Sequence, residues 1–277
     1  MQENRTADLD VVASKIVGAI ASGCAASPAE ARFLLREYVA AGRDEVRDAL
    51  GLALAHALAA AGGGESVDPP TAQRAAWLIV FVEAADIADD ERVIAAAGDL
   101  MRQLRAGWPI DLAREGVAAA AASVDACLRA SSLFDPAEIL QPAIDELERI
   151  IASAYRPGDR VSVAPHLASA LLTAFEMTGR LPYSMLAEEL MSGLRADGAS
   201  ERQPAVADAC ETAIVFCRLA ALHGNAEYRA AAVLAPGADY RADATRILRD
   251  RAPEALAAQV ADAALYGIAL RELISLR

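Results

Sequence analysis

The stretches HLASALLTAFEMTGRLPYSMLAEELM (His166–Met191) and ACETAIVFCRLAALHGNAEYRAAA (Ala209–Ala232) share one grammar: an apolar segment, a glycine turn, and a G-x-x-x-Y-x-x-x-A string opening an amphipathic segment. Glycine accepts the positive φ that ends a helix, and Pro182 suits a first helical turn. The turns Thr178-Gly179-Arg180-Leu181-Pro182 and His223-Gly224-Asn225 therefore each close one helix and open another. Two helical hairpins in tandem make a repeat, and a repeat constrains the architecture more than any single helix does.

Outward from this stretch, Ser27-Pro28-Ala29-Glu30 and Asp135-Pro136-Ala137-Glu138 each offer a cap, a proline at the first helical position and an acid in the first turn. Thr6 or Asp8 caps a first helix reaching about Ser22, and Thr71 caps another. Gly107-Trp108-Pro109 breaks a helix near Arg105, and Pro253 opens a last helix reaching Leu276. This gives about twelve helices and no strand. Segments 73–86, 164–178 and 206–222 are apolar almost all round, whereas 89–105, 135–154 and 183–196 carry a charged face. A helix apolar on most sides must be covered on most sides, so an inner ring of apolar helices inside an outer amphipathic ring is the simple solution. Pairing 27–41 with 43–61, 73–86 with 89–105, 111–130 with 135–154, 164–178 with 183–196 and 206–222 with 226–249 leaves the last helix to meet the first. Six hairpins then close as an all-α (α/α)6 toroid, a single domain over 1–277, with an open superhelix of helix pairs as its competitor.

Hydrophobic residues make up 55% of the chain and aromatic ones only 5%, because alanine supplies much of the apolar count. Alanine favours helix and lets helices approach closely. The net charge of −13 argues against nucleic acid and anionic membranes as partners. The polar N-terminal decapeptide reads as no signal peptide, and no long uncharged apolar run implies membrane insertion. Cys24, Cys127, Cys210 and Cys217 lack C-x-x-C spacing and are expected inside helices as reduced core residues of a cytoplasmic protein.

The strings ALLTAFEMTGRLPYSMLAEELM, AIVFCRLAALHGNAEYRAAA and YRADATRILRDRAPEALAA resemble successive hairpins of (α/α)6 toroid proteins. The likeness is to the helical toroid of thioredoxin-domain-containing, spermatogenesis-associated-type proteins and, more distantly, to N-acylglucosamine 2-epimerase-like proteins. It covers 150–277 well and 27–130 by pattern. The resemblance implies a toroid and carries no chemistry. The chain lacks C-x-x-C, and with His56, His166 and His223 as its histidines and Trp77 and Trp108 as its tryptophans it departs from the epimerase-like pattern of paired funnel histidines and aromatic walls.

Polar residues on the apolar helices are the candidate chemistry. His166, Ser169, Thr173 and Glu176 fall at i, i+3, i+7 and i+10, one stripe of a helix. Asp208, Glu211, Thr212 and Arg218 lie close to one face, as do Gln259, Asp262 and Tyr266. Such stripes face a wet lumen or each other, because unpaired buried polar groups are costly. The expected catalytic set is His166 as general acid or base with Glu211, Asp208 and Asp262. The expected ligand contacts are Arg74, Trp77, Arg156, Arg160, Ser169, Thr173, Gln259 and Tyr266, with the loops Arg156–Pro165, Ala199–Ala205 and Arg249–Glu254 as the rim. The alternative is a hydrogen-bonded plug that sets helix register. Asp125-Ala-Cys127 and Asp208-Ala-Cys210 resemble the zinc half-site of protein prenyltransferases, and Asp86–Glu91 resembles the acidic motif of prenyl synthases. Neither has the further ligands it would need, so no metal, nucleotide or other cofactor is expected. The reading is a toroid protein with a small-molecule or catalytic site in its funnel. The alternatives are a non-catalytic scaffold for a protein partner and an isoprenoid-related enzyme.

Overall fold

The computed structural model describes residues 2–62, 69–156, 164–196, 204–233, 235 and 237–276, and side chains within these from residue 5 except 61–62 and 195–196. Thirteen helices and no strand occur among the described residues: α1 (Gln2–Ala21), α2 (Pro28–Ala41), α3 (Asp44–Gly62), α4 (Thr71–Ala85), α5 (Glu91–Arg114), α6 (Gly116–Ala130), α7 (Pro136–Ala154), α8 (Ala164–Thr178), α9 (Leu181–Ala196), α10 (Val206–Gly224), α11 (Ala226–Ala231), α12 (Tyr240–Ala257) and α13 (Val260–Ser275). They form two compact units, one of 1–65, 201–224 and 239–277, the other of 66–200 and 225–238.

In the second unit a buried layer of α4, α6 and α8 packs side by side, covered by α5 over α4 and α6, α7 over α6 and α9 over α8. The repeated tyrosine of the sequence grammar has a shared role here. Tyr183 donates its hydroxyl to Glu148 of α7 at 2.8 Å, and Tyr228 of α11 donates to the buried Glu188 of α9 at 3.1 Å. Each repeat clasps a carboxylate of an earlier covering helix. Glu188 also accepts the backbone N–H of Ala235 at 2.9 Å, and Phe175 meets Tyr228 edge to face. The segment 226–249, taken as one arm of a hairpin, is thus divided: α11 is a six-residue helix against α8 and α9, and α12 belongs to the other unit.

In the first unit the buried layer is α10, α13 and α2, covered by α12, α1 and α3. The first helix packs on the last, as the closed array needs and an open superhelix lacks. Tyr266 of α13 donates to Asp8 of α1 at 2.8 Å, so Asp8 holds α13, and α1 starts at Gln2 without the cap expected at Thr6 or Asp8. Glu37, 2% exposed, accepts from Arg271 at 2.8 Å and from Arg43 at 3.0 Å, joining α2 to α13.

Two expected breaks move. Helix α5 runs through Pro109 to Arg114, because Trp108 is held on both sides: its indole N–H donates to Ser123 at 3.0 Å and its carbonyl accepts from Arg149 at 2.9 Å. The helix stops where Gly116 takes φ 85°. Helix α12 runs through Pro253, anchored by buried Arg251 and Ala255, and ends at Ala258. Lys15, the chain's single lysine, donates to the carbonyls of Leu256 and Ala258 there, so the last helix starts at Val260. The expected cap at Ser27 is present, with Glu30 closing the capping box, and Asp135 caps α7. Cys24 is corrected from a helical core position to an exposed one between α1 and α2, because its turn carries no apolar face to bury it.

Close helix approach is sharpest at Gly267, where a Cβ would overlap the Phe33 ring and stand 3.1 Å from Val12. Gly267→Ala is expected to lower stability by about 1–3 kcal/mol. Gly51→Ala, exposed in α3 with nothing within 4 Å, is expected to raise it by roughly 0.5–1 kcal/mol. Urea-unfolding midpoints measure both, and equal effects of one sign would contradict the close contact.

Candidate functional site

The buried-layer helices of the second unit are covered on most sides, and each carries a strip that stays partly accessible. On α6 the strip is Ala118, Ala122, Asp125 and Arg129, spaced i, i+4, i+7 and i+11. On α4 it is Ala72, Ala76, Ile79 and Glu83 at the same spacing. On α8 the half-exposed His166 and Ser169, the buried Thr173 and the exposed Glu176 form the stripe read from the sequence. The α6 and α8 strips meet. Asp125 accepts from Arg129 Nε at 3.1 Å and from the Ser169 hydroxyl at 2.9 Å, and Arg129 Nη2 donates to Thr173 at 3.1 Å. The Arg129 side chain is 24% exposed and that of Asp125 9%. His166 lies one turn before Ser169, and its imidazole makes no hydrogen bond among the described residues.

Arg129 and Asp125 are the members of this cluster that the sequence reading did not place. Their signal was present: on α6, otherwise alanine-rich, a charged pair at i and i+4 needs a shared outlet or a partner. Arg74 and Trp77 occupy α4. Arg74 donates to the buried Thr71 hydroxyl at 3.1 Å, and Trp77, half-buried, stacks on Phe81 at 5.7 Å. Arg156 is exposed and donates to the carbonyls of Ala152 and Tyr155, closing the end of α7. Arg160 lies outside the described residues, as do most of the loops expected between 156 and 165 and between 199 and 205.

In the first unit Asp208 is exposed in the first turn of α10, with Glu211 half-buried one turn on. Glu211 and Asp262 are brought together around one group: the charges of both act on the Cys210 thiol, which burial pushes up to about 12, with Arg251 opposing them. Gln259 is the exposed N-cap residue of α13 and makes no capping bond with its side chain. Tyr266 is buried against α1, its hydroxyl donated to Asp8.

The metal-like motifs have structural roles. Asp125 is bonded to Arg129 and Ser169, while Cys127 is fully buried, its thiol raised to about 12 by burial. Two residues apart on a helix, they point to different sides. Asp90 caps α5 through the Arg92 N–H at 2.9 Å and pairs with the Arg92 guanidinium at 2.8 Å. That side-chain bond leads in holding its carboxyl below the usual range.

A second polar knot lies at the start of α4. Glu115, at the corner between α5 and α6, accepts both the N–H of Thr71 at 2.9 Å and its hydroxyl at 3.0 Å, so it caps the neighbouring helix. Asp111, 5% exposed, sits over Gly107, where a Cβ would come within 2.7 Å of its carboxylate. Burial raises the Asp111 carboxyl and the charge of Glu115 adds to this, against Arg74, Thr71 and Arg114.

With this geometry, the class is that of an all-α (α/α)6 toroid. The chain is similar to a solved inactive variant of the alpha-1,6-mannanase GH76A of Salegentibacter sp., with two aspartates replaced by asparagine and alpha-1,6-mannotriose bound. The TM-score is 0.62 at 14% identity over 89% of this chain and 87% of that one. At that identity the likeness shows the fold alone. No protein-family model matches the chain, and no curated protein matches it. No helix among the described residues is long and apolar enough to cross a membrane.

Because the folded state raises the Asp111 carboxyl, it holds that proton more tightly than the unfolded chain does. The contribution is full below the unfolded value near 3.8 and is lost as pH rises through the folded one. Asp111→Asn, uncharged and of the same shape, is therefore expected to gain stability relative to the parent chain between about pH 4 and pH 7. Urea midpoints at the two pH values check this, and a constant gap between the proteins would sink it.

Proposed function

We propose that the chain is a toroid protein that takes a small molecule against the accessible strips of its buried-layer helices. The observation that carries this reading is a polar cluster at the accessible strips of otherwise buried helices: half-buried Arg129, Ser169 and His166, with the buried Asp125 bonded to Arg129 and Ser169 and the buried Thr173 bonded to Arg129. His166 is the proposed general acid or base. Asp208, Glu211 and Asp262 are the proposed carboxylates, with Gln259, Arg74 and Trp77 as further contacts. The chain is proposed to act as one cytoplasmic domain without nucleic-acid partners. Its path passes between the two units four times, so neither unit is a contiguous piece. Kinship with the thioredoxin-domain-associated and epimerase-like toroids belongs to the same reading and rests on the hairpin strings.

The solved neighbour holds an oligosaccharide, which supports a ligand-holding toroid. Its inactive variant replaces two consecutive aspartates. The one consecutive pair in this chain, Asp89-Asp90, has Asp90 committed to capping α5 and pairing with Arg92. Mannan hydrolysis is therefore not part of the proposal. Of the Asp86–Glu91 motif behind the isoprenoid-related alternative, Asp90 is engaged in the same cap.

The second reading, a scaffold with a polar plug, is favoured by the mutual satisfaction of the Asp125 cluster. A fragment screen by protein-observed NMR separates the two. The expected result is binding that shifts signals of Ala118, Ala122 and Ser169, with His166→Ala or Ser169→Ala weakening the best hit roughly 3- to 10-fold. Hits confined to the covering helices, or affinities unmoved by both variants, would hand the case to the scaffold.

A further inference from the structure

Resting on that reading of the α4, α6 and α8 face, we propose that the site selects an uncharged ligand carrying a carbonyl or hydroxyl oxygen on a compact apolar body, with Arg129 as its anchor. The guanidinium is fixed at two of its three nitrogens: Nε and Nη2 face Asp125, at 3.1 and 3.5 Å, and Nη2 also donates to Thr173. Nη1 makes no hydrogen bond among the described residues, on a side chain that is 24% exposed. A held guanidinium with one open nitrogen offers a pre-organised donor to a single acceptor atom, without the bidentate fork that carboxylates and phosphates prefer.

The charge on Arg129 is already balanced by Asp125. A carboxylate bound at Nη1 would bring a second anion close to Asp125 in a half-buried setting, across the Arg129 guanidinium. A neutral amide or alcohol takes the same bond without that repulsion. An ammonium ligand finds a donor where it needs an acceptor. Beside Arg129 and Asp125 on their own strip stand Ala122 and Ala118, and the neighbouring strip offers Ala76 and Ile79. These four suit an apolar body, while Glu83 closes the α4 strip and Glu176 the α8 strip, two further carboxylates that disfavour an anionic ligand.

The test uses three probes of one shape on the full chain: cyclohexanecarboxamide, cyclohexanecarboxylate and cyclohexylammonium, with Kd values from NMR titration of the alanine methyl groups. The carboxamide is expected to bind at least tenfold more tightly than either ion, shifting Ala118 and Ala122. Asp125→Asn keeps the shape, leaves one acceptor oxygen where the carboxylate used two for Arg129 and Ser169, and removes the balancing charge. It is expected to strengthen the carboxylate roughly tenfold and leave the carboxamide within twofold. Thr173→Val, a milder change that frees Nη2, is expected to weaken the carboxamide. A carboxylate preference in the parent chain, or no gain in Asp125→Asn, overturns the neutral-ligand inference while leaving the binding face in place. Absence of any shift at Ala118 and Ala122 with all three probes overturns both.

Discussion

Helices in this protein stand close enough that a missing Cβ matters. At Gly267 the backbone of α13 lies against the ring of fully buried Phe33 on α2, and alanines fill comparable places throughout α6 and α8. Small side chains allow neighbouring buried helices to approach until little of either remains uncovered. The consequence is geometric: a helix covered by two neighbours in its own layer and by helices of the second layer keeps one strip of about one residue per turn. Every polar group on such a helix must use that strip, pair with a neighbour, or bear the cost of burial. The layers of each unit, the Asp125 cluster and the accessible stripes all follow from this.

The covering layer obeys a different rule. Its helices carry charge, and their carboxylates become attachment points. Glu148 and Glu188 each receive a tyrosine hydroxyl from a later element, Glu37 receives two arginines, and Glu115 caps a helix to which it is not joined. Charge-assisted bonds of this kind fix direction as well as distance, so they hold register where alanine packing alone would allow sliding. The net charge of −13 is thus partly structural: several of its carboxylates are fastened inside the fold.

The same rule relocates the helix ends. Pro109 and Pro253 were legible as breaks because proline removes a backbone donor. Both lie inside helices, since Trp108 is pinned by Ser123 and Arg149 and the turn after Pro253 is buried through Ala255. The helices stop instead at Gly116, which only the backbone conformation marks, and at Ala258, whose carbonyl is met by Lys15 from far away in sequence.

The sequence by itself determined the local structure: helix throughout, capping at Ser27 and Asp135, the hairpin turn at Gly179, and a polar stripe on α8 from His166 to Glu176. Those features depend on residues within one or two turns of each other, so periodicity and capping chemistry suffice. Only the tertiary structure decided what the stripe touches. Asp125 and Arg129 meet Ser169 and Thr173 from positions about 44 residues away, and Tyr266, on the same reading as Asp262, turned to Asp8 at the other end of the chain. Which side of an almost wholly apolar helix stays accessible is set by how many neighbours cover it, and that number is a property of the packed array.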